Sequence, residues 1–128
     1  MTETLHLRLA GGEDAALRVR SALGALNCNL FALRGTVKLL VTELVTNSFR
    51  HAGAGADTLI EVRVDASPRR VRVEVEDPGP GFDPVPRPAD EHGGFGLLLV
   101  SELSDRWGVA QAPPCVWFEL DRPINAYN

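Results

Sequence analysis

Two segments of this chain alternate apolar and polar residues, Leu59 to Val64 and Val71 to Val75, with Ala66-Ser67-Pro68-Arg69 between them. Period-two alternation puts one set of side chains on one face of a strand. Serine and proline supply turn chemistry, so the pair predicts an antiparallel hairpin with one buried and one wet face. A hairpin cannot bury its apolar face alone and needs a second layer over it. The rest of the chain must provide that layer. With 128 residues, 45% of them hydrophobic, there is material for one core and hence for one domain over 1–128, with 122–128 as a tail.

Helical periodicity supplies the second layer. From Ala15 to about Leu26, the residues Ala16, Leu17, Val19, Leu23 and Leu26 recur at helical spacing after the strand-like Leu5, Leu7 and Leu9. A longer helix is predicted from about Phe31 to Ala52, closed by Gly53-Ala54-Gly55. At about 100° per residue, Val37, Leu40, Val41, Leu44, Val45 and Ser48 share one side, and Thr42, Thr46 and Arg50 fall opposite. A third helix is predicted from about Phe95 to Trp107, with Leu97, Leu98, Val100, Leu103 and Trp107 inward. Val109-Ala110 and Cys115 to Leu120 read as short closing strands. Hairpins without strict strand-helix alternation indicate an α+β class. The expected architecture is a two-layer sandwich with a mixed, mainly antiparallel sheet and helices packed on one face.

The formal net charge of -4 leaves no electrostatic footprint for nucleic acid or an anionic membrane. The longest apolar runs are broken by Lys38, Thr42 and Glu43, so no span of the bilayer is expected. The opening Met1-Thr2-Glu3-Thr4 lacks the basic and apolar pattern of a secretory leader. Cys28 and Cys115 show no metal-ligand spacing and read as buried, ordinary thiols of a reducing compartment, which makes the cytoplasm the expected location.

Three polar segments remain unexplained by packing. Glu43, Asn47 and His51 follow one another at four-residue intervals and form a slanted stripe along the edge of the apolar helical face. Polar groups bordering a core are either paired or open to a cleft. An amide oxygen from Asn47 suits a magnesium ion that keeps waters and takes phosphate oxygens, and Glu43, a turn earlier, suits a general base. The same stripe equally fits the solvated edge of an amphipathic helix. Asp77 precedes Pro78-Gly79-Pro80-Gly81, so its carboxylate can accept from the exocyclic amine of adenine while the glycines admit the base; an ordinary turn is the alternative. Gly93, Gly94 and Gly96 open the third helix, where converging amides suit phosphate and simple loop flexibility is the rival.

Taken together, these segments resemble the Bergerat, or GHKL, nucleotide-binding fold shared by gyrase, histidine kinases and the bacterial anti-sigma serine kinases, and the last group most. Glu43 to Ala52 resembles that group's N-box, Asp77 to Phe82 its first glycine box, and Gly94 to Leu97 its second. The resemblance implies ATP and Mg²⁺ as cofactors. Asn47 would help hold the metal, His51 would contribute to cofactor binding, Asp77 would read adenine, Gly79 and Gly81 would line the base, and Gly94, Gly96 and Leu97 would approach the phosphates. Glu43 would be the general base of a serine/threonine protein kinase. The implied partners are an anti-anti-sigma protein as phosphoacceptor and a sigma factor that the kinase binds in alternation, with homodimerisation as a further expectation. Two departures stand out. The family's Gly-Thr pair before the last strand is replaced by Gln111-Ala112-Pro113-Pro114-Cys115, and the segment Asp83 to His92 is short and carries Pro84, Pro86 and Pro88. They motivate a second expectation, a non-catalytic partner-binding module of the same fold.

Overall fold

Strands β2 (Leu59–Ala66) and β3 (Arg70–Glu76) form the expected hairpin, with Val64 opposite Val73 and Asp65 opposite Arg72. Its turn is the three residues Ser67 to Arg69. The Ser67 amide donates to the Arg70 carbonyl at 2.8 Å, and the Ser67 hydroxyl accepts from the Arg70 amide at 3.1 Å. Here, as throughout, the structure is a computed structural model; it describes residues 3–10, 15–24, 34–51, 59–76, 96–111 and 114–121, and of residues 10, 15–16, 34, 47–51, 96, 111 and 114 the backbone alone.

Around the hairpin the sheet grows on both sides. Strand β1 (Glu3–Ala10) pairs antiparallel with β2, and β5 (Pro114–Asp121) pairs antiparallel with β3. Strand β4 (Arg106–Gln111) closes the far edge against β5, for the order β1-β2-β3-β5-β4. Each described pairing is antiparallel, so the parallel component of a mixed sheet is not found among the described residues.

Helices α1 (Ala15–Gly24), α2 (Arg34–His51) and α3 (Gly96–Leu103) cover one face. Val19 and Leu23 of α1, Val37, Leu40, Val41, Leu44 and Val45 of α2 and Val100 of α3 join the inward residues of the strands in one buried cluster. The apolar side of α2 is thus the side read from its periodicity. Burying each such side chain is worth about 1.5–3 kcal/mol before chain entropy is counted. This layering is the expected α+β sandwich.

Three local expectations are corrected. The third helix ends at Leu103, not near Trp107; Trp107 lies in β4, still packed against the core. Strand β4 runs for six residues rather than two. Cys115 is only half-buried and lies in register with Glu76 and Ala110 on the face away from the helices. Burial pushes its thiol pKa up, and Glu74 and Glu76 push it further, so its nucleophilic form is suppressed. Cys28 lies outside the described residues.

The face away from the helices is a grid of opposite charges. Arg72 bonds Glu74 at 3.0 Å and Glu119 at 2.9 Å, while Arg106 bonds Glu119 at 2.7 Å and also Asp121. Arg70 reaches Asp121 at 3.2 Å. Bonds from Arg106 hold the Glu119 carboxyl below its ordinary pKa of 4.5, against some burial, and Arg72 adds to the effect. Arg106 likewise lowers Asp121 from 3.8, with Arg70 assisting. Because the folded carboxyls bind protons less readily than the unfolded ones, this stabilisation is present above about pH 4.5 and is lost as pH falls through the lowered values. Arg106→Gln is therefore expected to flatten the loss of stability between pH 5 and pH 2. A urea midpoint series with the same acid slope in both proteins would rule this network out as its source.

Trp117 belongs to this open face as well. It sits opposite Gly108, and the Arg72 guanidinium lies 4.5 Å from its ring centre. A Cβ at position 108 would fall 2.6 Å from the Trp117 Nε1, so only glycine lets the indole lie across β4. Gly108→Ala is expected to displace the ring from Arg72 and cost about 1–3 kcal/mol. The cost should largely vanish in a Trp117→Ala background, and equal losses in both backgrounds, measured by urea denaturation, would refute the steric account.

Candidate nucleotide site

Helix α2 carries the most specific of the candidate segments. Glu43, Asn47 and His51 all fall within it, and a rise of about 1.5 Å per residue separates successive members by about 6 Å along the axis. Glu43 is half-buried, close in the chain to the fully buried Val41 and Leu44. No described residue pairs with or bonds its carboxylate. Thr42, assigned from periodicity to the side away from the core, is also half-buried, and its hydroxyl is buried without a hydrogen-bond partner. Nothing in the local sequence signals that.

Helix α3 opens at Gly96 and packs on α2, with Leu97 half-buried against the core. The fold therefore brings the helix of Glu43, Asn47 and His51 against the helix that the second glycine segment begins. Helix α2 also packs on β3, whose last residue, Glu76, immediately precedes Asp77 in the chain. Asp77, Gly79, Gly81 and Gly94 lie outside the described residues, as do the proline-rich segment 83–92 and Ala112-Pro113. The described part of the site is thus the α2 stripe and the start of α3.

Among the described residues no group of three or more His, Cys, Asp or Glu side chains is placed to hold a metal ion. A metal fits this donor set only if phosphate and water complete its shell, as magnesium on a nucleotide allows.

A three-helix layer on an open antiparallel sheet, with Glu43 and Asn47 one turn apart on α2 and α2 packed against the helix that Gly96 opens, is the layering of a nucleotide-binding sandwich of the GHKL, or Bergerat, type. The model of the histidine kinase-like ATPase domain family matches residues 11–119, and the chain belongs to that family. It is accordingly an ATP-binding domain of the kinase and ATPase kind. No curated protein matches the sequence. Among the described residues no helix is long and apolar enough to cross a membrane.

Proposed function

We propose that the chain is an anti-sigma-type serine/threonine protein kinase, which transfers the γ-phosphoryl group of ATP to an anti-anti-sigma protein and sequesters a sigma factor in the cytoplasm. The observation that carries the reading is Glu43, a half-buried carboxylate without a described partner, one helical turn from Asn47. In the reaction the acceptor hydroxyl oxygen bonds to the γ-phosphorus, its proton passes to Glu43, and the bond to the β–γ bridging oxygen breaks to release ADP. Magnesium, held in part by Asn47, supplies charge neutralisation on the phosphates. Such transfer needs positioning and charge compensation more than covalent chemistry, which suits so small a residue set. Incubation with labelled ATP, Mg²⁺ and an anti-anti-sigma protein encoded with this chain should label that partner on serine or threonine. Labelled nucleotide bound without transfer to any such partner would remove the kinase reading.

Pro114, the first residue of β5, favours one other reading, a partner-binding module without chemistry. Proline offers no amide donor where the related pattern carries a Gly-Thr pair. Calorimetric titration separates the two. Absence of heat at millimolar ADP and ATP favours the module.

A further inference from the structure

We infer that Asp105 is a positioning residue for the nucleotide site, acting through α3. The inference rests on the ATP site described above and adds a residue outside its motifs. Helix α3 has eight residues, about 12 Å of rod, and among its residues 97–103 Val100 alone is fully buried. A helix that short does not hold itself, so its placement depends on its packing and its ends. Its C-terminal end is bonded residue by residue. The Ser104 amide and hydroxyl both donate to the Val100 carbonyl, at 3.0 and 2.5 Å. The Asp105 amide donates to the Glu119 carbonyl at 2.9 Å, and the Asp105 carboxylate accepts from the Asp121 amide at 2.6 Å. Arg106 then begins β4 and is ion-paired to the same two β5 residues.

Asp105 therefore clamps the corner between α3 and the sheet from both its backbone and its side chain. The other end of the rod is Gly96, where the phosphate-facing segment begins. A tilt of about 5° at the corner carries Gly96 through about 1 Å over that length. Displacements of that size matter to a site whose chemistry is positioning, where about 1 Å can cost up to 10²-fold. Loss of the Asp105 carboxylate leaves an exposed amide that water can satisfy, so the effect falls on helix placement more than on global stability.

The test compares Asp105→Ala, Asp105→Asn and, as a destabilised control far from α3, Val62→Ala, each titrated calorimetrically with Mg-ATP and unfolded in urea. Asp105→Ala is expected to weaken ATP binding roughly tenfold, within the range found for residues that act at a distance from a ligand. Asp105→Asn, which keeps an acceptor oxygen, should bind within about twofold of the parent, and Val62→Ala should lose stability without losing affinity. Unchanged affinity in Asp105→Ala, equal losses in Asp105→Ala and Asp105→Asn, or a matching loss in Val62→Ala would overturn the inference while leaving the site intact. A parent chain that binds no nucleotide would instead overturn the site itself.

Discussion

Glu43→Ala is expected to lower phosphoryl transfer by roughly 10²–10⁴-fold, the usual contribution of a positioned general base. Nucleotide affinity should stay close to that of the parent, because the carboxylate is assigned to the acceptor hydroxyl and not to ATP. Stability should be unchanged or slightly higher. Glu43 sits inside α2 with no partner among the described residues, and alanine is the better helix former. The three readouts together separate a catalytic loss from a folding loss. Transfer that persists in Glu43→Ala would end the assignment of this residue as base, and a fall in thermal stability would show that the carboxylate has a structural partner.

The largest effect on stability is expected at Phe118. It lies on the interior strand β5, in register with Val73 on β3 and Trp107 on β4, and is fully buried beneath the helices. Phe118→Ala should cost about 3–5 kcal/mol, through lost transfer energy and the cavity left behind. Domains of this size commonly have about 5–15 kcal/mol in total, so the variant would stand near the edge of folding. Phe118→Leu refills most of the space and should cost much less. Urea midpoints measure both. A penalty below about 1.5 kcal/mol for Phe118→Ala would mean that the layer over β5 collapses into the gap, contrary to the close packing observed.

The helical setting of part of the candidate site was legible in the sequence. Helical angle places Glu43 and Thr42 equally far, about 130°, from the centre of the apolar side, so angle alone does not tell them apart, and the structure finds both half-buried. Asn47 and His51 share their helix, and Gly96 begins the third helix, one residue from the expected start at Phe95. The burial of the Thr42 hydroxyl was not legible, because burial of a residue off the apolar side is set by tertiary packing and not by the helical repeat. Trp107 was misplaced for a similar reason. Apolar spacing continues past Leu103, but the chain leaves the helix where Ser104 and Asp105 bond to Val100, Glu119 and Asp121.

By itself the amino-acid sequence determined the local elements: the hairpin about Ser67, the buried side of α2 and the four-residue spacing of Glu43, Asn47 and His51 along it. These follow from period-two and 3.6-residue repeats, which act between near neighbours in the chain. The tertiary structure alone decided that β5 enters between β3 and β4, that α2 and α3 meet, and that Trp117 lies on the open face above Gly108 beside Arg72. Such arrangements depend on which distant segments find complementary edges and space. No local repeat encodes that choice.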